Sequence, residues 1–186
     1  MNAQEIIKCV KSFVYGNITL KVISESNLPK YIRKPKQGEI TIFVILISGQ
    51  NEDMGHWILI SITHTEILYF DSLDLSPIVY GSKITNFLNN LHKICENKVI
   101  KIRHRVQSIN SLVCGLYCVF MIFHIQKNRN LSKALKDFMK IFTQKYETND
   151  KTLVRIMYKK FGSALPPCKK IFCNEKYVSE CSNLCK

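Results

Sequence analysis

The stretch from Gln107 to Phe123, QSINSLVCGLYCVFMIF, opens as a polar turn and then becomes almost wholly apolar. From about Leu112 to Gln126 it predicts a helix with no polar face, and such a helix is buried on every side. The rest of the chain has to supply its cover. Cys114 sits at the junction of the polar and apolar parts, with Gly115 directly after it. A thiol at the first turn of a buried helix meets free N–H groups and the positive end of the helix dipole, which favour thiolate over thiol.

A candidate sheet precedes that helix. Ile40 to Ile47 (ITIFVILI) is a nearly continuous, β-branched apolar run bounded by Gly38 and Ser48-Gly49. It predicts a central strand buried on both faces. After the polar loop Gly49 to Gly55, His56 to Thr63 (HWILISIT) and Ile67 to Phe70 (ILYF) read as two more strands. The short break His64-Thr65-Glu66 makes them an antiparallel hairpin, with Asp71 just past its end. Lys98 to Val106 (KVIKIRHRV) alternates apolar and basic residues and predicts a strand with one wet, positive face.

Helical spacing recurs elsewhere. Residues 3 to about 14 carry Ile6, Ile7, Val10, Phe13 and Val14. Ser82 reads as an N-cap before Ile84, Phe87, Leu88 and Leu91. Two amphipathic helices are expected at about Ser132 to Tyr146 and Thr152 to Phe161. Leu28 to Gly38, with two prolines and four basic residues, reads as an exposed basic loop. The order of elements gives an α+β protein with one domain over residues 1–165 and a Cys-rich basic tail over 166–186.

The formal net charge is +13, from 27 Lys+Arg against 14 Asp+Glu. An acidic partner such as nucleic acid explains that excess; so does the general abundance of Lys, Asn and Ile. No apolar run is long enough to span a bilayer, and the opening MNAQEIIKCVKSFVYG lacks the features of a signal peptide. A reducing compartment is therefore expected, where the eight cysteines serve as free thiols or metal ligands rather than as a disulfide framework. Cys168, Cys173, Cys181 and Cys185 have the spacing C-x4-C-x7-C-x3-C, which matches no common zinc pattern, and no metal site is assigned.

A cysteine nucleophile needs a base, a group that orients the base, and donors for the developing oxyanion. The chain offers one candidate for each at the end of an expected element. Cys114 is the nucleophile, His56 the base and Asp71 its orienter across the hairpin. Gln107, seven residues before Cys114, offers an amide beside the Cys114 backbone N–H. Asp74 is a competing orienter. Taken singly, each has an ordinary reading: Cys114 as a packed core thiol like Cys118, Asp71 as a strand-end turn residue, Gln107 as a loop residue and Trp57 as core. His64, His92, His104 and His124 keep the ordinary reading.

The set His56-Trp57, then YFDSLD, then Gln107, then Cys114-Gly115 resembles the cysteine proteases that include adenovirus maturation proteases and the SUMO/ubiquitin-like-protein proteases. The order His…Asp…Gln…Cys is that group's and not papain's, and the resemblance covers about residues 40 to 125. It implies a mixed sheet flanked by helices with the nucleophile at the start of a buried central helix. It also implies that Trp57, with Gly115, walls a narrow substrate groove. The small size resembles the viral maturation branch, which extends to virophages and mobile elements. This implies an endopeptidase that cuts capsid or core precursors at Gly-containing sites. The expected setting is the virion and infected cell, the expected state a monomer, with no membrane partner. The chemistry then needs no cofactor; DNA or an activating peptide is the accessory that adenoviral members use. Cys95 does not match the position of the peptide-linking cysteine convincingly, whereas the net charge keeps DNA stimulation open. Asp71 stands where adenoviral members usually carry Glu; Asp is the form of the SUMO-protease branch. Deconjugation of a ubiquitin-like protein is therefore the alternative reading, and a catalytically idle, basic capsid-associated or nucleic-acid-binding protein is a third.

Overall fold

Alternation along the strands sorts the core into two halves. In β2 (Ile40–Ile47), Ile40, Ile42 and Val44 join one cluster, and Phe43, Ile45 and Ile47 the other. β3 (His56–Ile62) repeats this with Trp57 and Leu59 against Ile58, Ile60 and Ile62. β4 (Glu66–Phe70) does so with Leu68 and Phe70 against Ile67 and Tyr69. Strands apolar on both faces require cover on both sides. The computed structural model, which describes residues 1–30, 32–48, 55–95, 98–102 and 104–166, supplies it.

The sheet has the order β1-β2-β3-β4-β5, with β1 (Ile18–Ser24) and β5 (Lys98–Lys101) at its edges. The edge pairs β1/β2 and β4/β5 are parallel and the inner pairs antiparallel, so the sheet is mixed. The middle strand is β3, and the run 40–47 lies beside it. α2 (Ser82–Cys95) covers one face through Ile84, Phe87, Leu88 and Leu91. The other face carries α3 (Cys114–Asn128), around which α1 (Ala3–Lys11), α4 (Leu131–Met139) and α5 (Tyr146–Phe161) are packed. Twelve of the fifteen α3 residues are buried, which a helix apolar all round demands. His124 is one of them. The rings of Phe120, Phe123 and Phe138 surround it. Burial, helped by Lys127, pushes its pKa down to about 4, so it is a neutral core residue.

Several expected boundaries move. The strand β1 went unrecognised, because an edge strand with alternating partial burial carries little apolar signal. α1 ends at Lys11, and Phe13 packs on Phe123 and Phe161 from beyond the helix. Ser82 is the first residue of α2 and not its cap; Gly81, at φ +87°, turns the chain into the helix. The expected strand 98–106 stops at Lys101, because its partner β4 runs out one residue past the Tyr69–Lys101 pair. The expected helix 132–146 ends at Met139, and α5 starts at Tyr146 rather than Thr152. Between them the Thr143 N–H donates to Asn149 Oδ1 at 3.0 Å, a side-chain bond that competes with helix continuation.

The basic loop at 28–38 is partly structural. Arg33 pairs with Glu39 at 2.7 Å, and Lys34 Nζ donates to the carbonyl of Cys95 at the end of α2 at 3.1 Å. The tail cysteines lie outside the described residues. Among the described residues no group of three or more His, Cys, Asp or Glu is placed to hold a metal ion, and no helix is long and apolar enough to cross a membrane.

Glu66 joins the sheet to the helical layer. Its carboxylate accepts the Leu131 and Ser132 N–H groups at 3.1 and 3.2 Å and the Ser132 hydroxyl, all at the start of α4. An anion at a helix N-terminus satisfies free donors and opposes the dipole. Glu66→Ala is expected to destabilise the protein by about 1–2 kcal/mol in urea unfolding. An unchanged midpoint would show that this cap contributes nothing.

Candidate active site

His56 opens β3, and Asp71 follows the last residue of β4. Extending the Leu59–Phe70 register by one step sets Asp71 opposite Ile58, two residues from His56 and on the same face. The two side chains meet: His56 Nε2 lies 2.7 Å from Asp71 Oδ1. Asp71 is wholly buried. Its Oδ1 also accepts the Leu73 N–H at 2.9 Å, and its Oδ2 accepts the Leu75 N–H at 3.2 Å and the Tyr80 hydroxyl at 2.6 Å. Four donors replace the water a buried carboxylate loses. Asp74 is not the orienter: it occupies a left-handed turn at φ +56°, where its N–H donates to the Asp71 carbonyl.

With Nε2 engaged by Asp71, Nδ1 is the ring nitrogen left to serve Cys114, and the thiol and the imidazole shift each other's pKa. Cys114 is the first residue of α3 and is 6% exposed. Burial works against its thiolate. The hydrogen bond and charge of His56 outweigh that, the Trp57 backbone N–H adds to them, and the thiol falls below its ordinary range. For His56, burial disfavours the cation, but the bonds to Asp71 and Cys114 prevail and push its pKa up to about 9. The two opposed shifts, Cys114 downward and His56 upward, favour a thiolate–imidazolium pair over the neutral pair. Burial moves the other described cysteines the opposite way. Cys9 is pushed up to about 12, and Cys95 and Cys118 are raised. Cys118, one turn along α3, donates its S–H to the Trp57 carbonyl at 3.5 Å.

Trp57 and Gly115 lie side by side next to Cys114. A Cβ on Gly115 would stand 3.4 Å from Trp57 Cδ1 and 3.2 Å from Met1 Cβ. The indole is 5% exposed, and its N–H donates to the Met1 carbonyl at 2.9 Å. Met1 thus packs over both Trp57 and Gly115.

Gln107 is almost fully buried, with its amide fixed at both ends. Ser72 Oγ donates to Oε1 at 2.6 Å, which identifies the other end as Nε2, and Nε2 donates to the Ser111 carbonyl at 2.6 Å. The Gln107 and Val106 N–H groups both donate to the Ser72 carbonyl, so this loop is tied to the residue after Asp71.

Sequence reasoning missed Tyr80 and Ser72. Tyr80 ends a short 3-10 turn, Pro77–Tyr80; its hydroxyl holds Asp71 while its ring stacks on His56, with centroids 5.9 Å apart and planes at 22°. An aromatic face over an imidazole favours the charged ring. No spacing rule links a tyrosine nine residues downstream to Asp71; the only signal was Ser72's place directly after it.

No family model matches the sequence, and no curated protein matches it. Among solved structures the chain is similar to ChlaDub1 from Chlamydia trachomatis, at 15% identity and a TM-score of 0.46 over 67% of this chain and 61% of that one. A second structure, of the Chlamydia trachomatis effector protein ChlaDUB1, gives the same identity, score and share of this chain and 56% of its own. The central domain of the uncharacterized Lpg1148 protein from Legionella pneumophila is similar at 10% identity and a TM-score of 0.48, over 88% of this chain and 97% of that domain. The chain thus spans less than two thirds of either Chlamydia structure.

The ion pair sets a pH signature. The rate of Cys114 alkylation by iodoacetamide, followed by mass spectrometry, is expected to rise at lower pH than for an ordinary thiol. In His56→Ala the bond and charge of the imidazole are lost, burial weighs more against what remains, and the rise moves to higher pH. Tyr80→Phe keeps the stacked ring, loses the bond to Asp71 and falls between the two. Coincident profiles for wild type and His56→Ala would refute the pair. Because the His56 pKa is raised, its stabilising contribution is complete below 6.5 and is lost as pH rises through about 9. Asp71→Asn is expected to flatten that dependence.

Proposed function

We propose that the chain is a cysteine peptidase with Cys114 as nucleophile. The observation that carries the reading is the His56–Asp71 bond at 2.7 Å, made by a ring that also meets the sulfur at the head of α3. The Cys114 thiolate adds to the carbonyl carbon of the scissile bond. The oxyanion accepts the Cys114 backbone N–H and a hydrogen of Gln107 Nε2. The His56 imidazolium gives its Nδ1 proton to the departing nitrogen, and a thioester remains on Cys114. Water then attacks that thioester, with His56 taking the water proton, and the thiolate leaves. Asp71, held by Tyr80, keeps the ring oriented through both half-reactions.

The substrate we infer is the glycine-containing C-terminal segment of a ubiquitin-like protein. Glycine suits the narrow groove that the resemblance implies beside Trp57 and Gly115. Asp rather than Glu at position 71 is the form of the deconjugating branch that the sequence resembles. A polypeptide substrate also fits the rim. Leu75, Ile78 and Val79 are exposed on the segment after Asp71, and Ile109 and Leu112 on the segment before Cys114. The Ser72–Gln107 bonds hold those two segments together. Cleavage of a viral capsid or core precursor uses the same chemistry and is the second reading, favoured by the small domain and the basic charge. DNA stimulation belongs with it.

Cys114→Ala is expected to abolish cleavage while leaving the unfolding midpoint within experimental error. Vinyl-sulfone probes made from SUMO and ubiquitin separate the substrates. A Cys114 adduct with either supports deconjugation. Absence of both, with new termini on co-expressed capsid proteins, supports maturation. Processing that survives Cys114→Ala would sink both. Ile78→Asp, on the exposed rim, is expected to raise KM several-fold with kcat within about twofold.

A further inference from the structure

The loop that carries Gln107 is clamped on both sides from a helix that no part of the reaction uses. Before Gln107, the Val106 carbonyl accepts Asn149 Nδ2 and the Tyr117 hydroxyl, each at 3.0 Å. After it, the Ser108 N–H donates to Asp150 Oδ2 at 3.2 Å. The other carboxylate oxygen, Oδ1, lies 2.9 Å from the Tyr117 hydroxyl, so that hydroxyl shares its one proton between Val106 and Asp150. Asn149 and Asp150 follow one another in the second turn of α5 and are both 2% exposed. Asn149 is itself anchored, donating to the Thr143 carbonyl at 2.7 Å and accepting the Thr143 N–H at 3.0 Å. Tyr117 is wholly buried and lies one turn along α3 from Cys114. The helix that presents the sulfur and the loop that presents the amide therefore share one buried carboxylate.

We propose that Asp150, with Asn149, is a positioning group for the oxyanion site: it fixes the Gln107 loop against α3 so that the Gln107 amide and the Cys114 N–H address the same point. This rests on the cysteine-peptidase reading. The carboxylate has no contact with His56, Asp71 or the sulfur, so it acts on oxyanion stabilisation and leaves the thiolate–imidazolium pair alone. A carboxylate suits the position because it accepts two donors at once, one from the loop and one from α3. An amide has one accepting oxygen for the same two donors.

Two reactions of the same sulfur separate the roles. Alkylation by iodoacetamide needs the thiolate and passes through no oxyanion. Acylation by p-nitrophenyl acetate adds the thiolate to the ester carbonyl, expels p-nitrophenolate and leaves a thioester, with charge developing on the carbonyl oxygen. Burial pushes the Asp150 carboxyl up to about 6, so both rates are read above that pH, with the full chain. Asp150→Ala is expected to slow acylation by roughly tenfold or more, with alkylation within about twofold of wild type. Asp150→Asn, which keeps one acceptor, should fall between and guards against a variant that fails to fold. Adding Gln107→Ala to Asp150→Ala should cost little beyond Gln107→Ala alone, because the clamp acts through that amide. Equal losses in both reactions, or full additivity with Gln107→Ala, would overturn the assignment. A wild-type protein that shows neither an activated thiol nor ester acylation would instead refute the peptidase reading itself.

Discussion

A carboxylate with no access to water is the constraint around which this site is built. Burying Asp71 is costly unless every lone pair is met, and the donors that meet it come from separate parts of the chain: His56 from the head of β3, Leu73 and Leu75 from its own turn, and Tyr80 from the 3-10 turn before α2. Loss of any one donor leaves a charge short of a partner in a low-dielectric setting. The geometry of the histidine is thus a by-product of solvating an anion. The turn after β4 exists in its present form because its two N–H groups are needed there.

The sulfur presents the opposite balance. Burial alone drives a thiol toward neutrality, as Cys9 and Cys118 show within the same core. Cys95 also has a cation near it, Lys34, yet burial still raises it; among the described cysteines the balance reverses only at Cys114, against His56. Its place at the first turn of α3 contributes about 1 kcal/mol or less by the dipole, so the helix supplies position more than charge. The stacking of Tyr80 then matters twice, because one residue touches both the carboxylate and the ring that the carboxylate orients.

Strong periodicity made much of this architecture legible. The run 40–47, the hairpin 56–70 and the apolar α3 have two-fold or all-round apolar patterns that admit one reading. A sheet covered on both faces and the approach of Asp71 to His56 follow from them; that the sheet is mixed was implied by the resemblance. What stayed hidden depends on partners distant in sequence. β1 is an edge strand whose pairing with β2 is not written in its own composition. β5 ends where β4 ends, which no property of KVIKIRHRV reveals. Asn149 and Asp150 read as ordinary polar residues before a helix, since nothing local shows that the turn at 140–145 folds them under the Gln107 loop. Trp57 was legible as the neighbour of the base, but the residue lying over it, Met1, stands 56 positions earlier in the chain.

The peptide unit at Trp57 has a further consequence. β4 pairs only with residues 59–62 of β3, which leaves the Trp57 N–H and C=O outside that ladder. They face the two sulfurs of α3 instead: the N–H supports the anion at Cys114, and the C=O accepts the S–H of Cys118. A donor meets the thiol that has to lose its proton, and an acceptor meets the one that has to keep it. The strand beneath thus reinforces what His56 does: the polarity of one backbone residue favours the anion at Cys114 and the neutral thiol at Cys118.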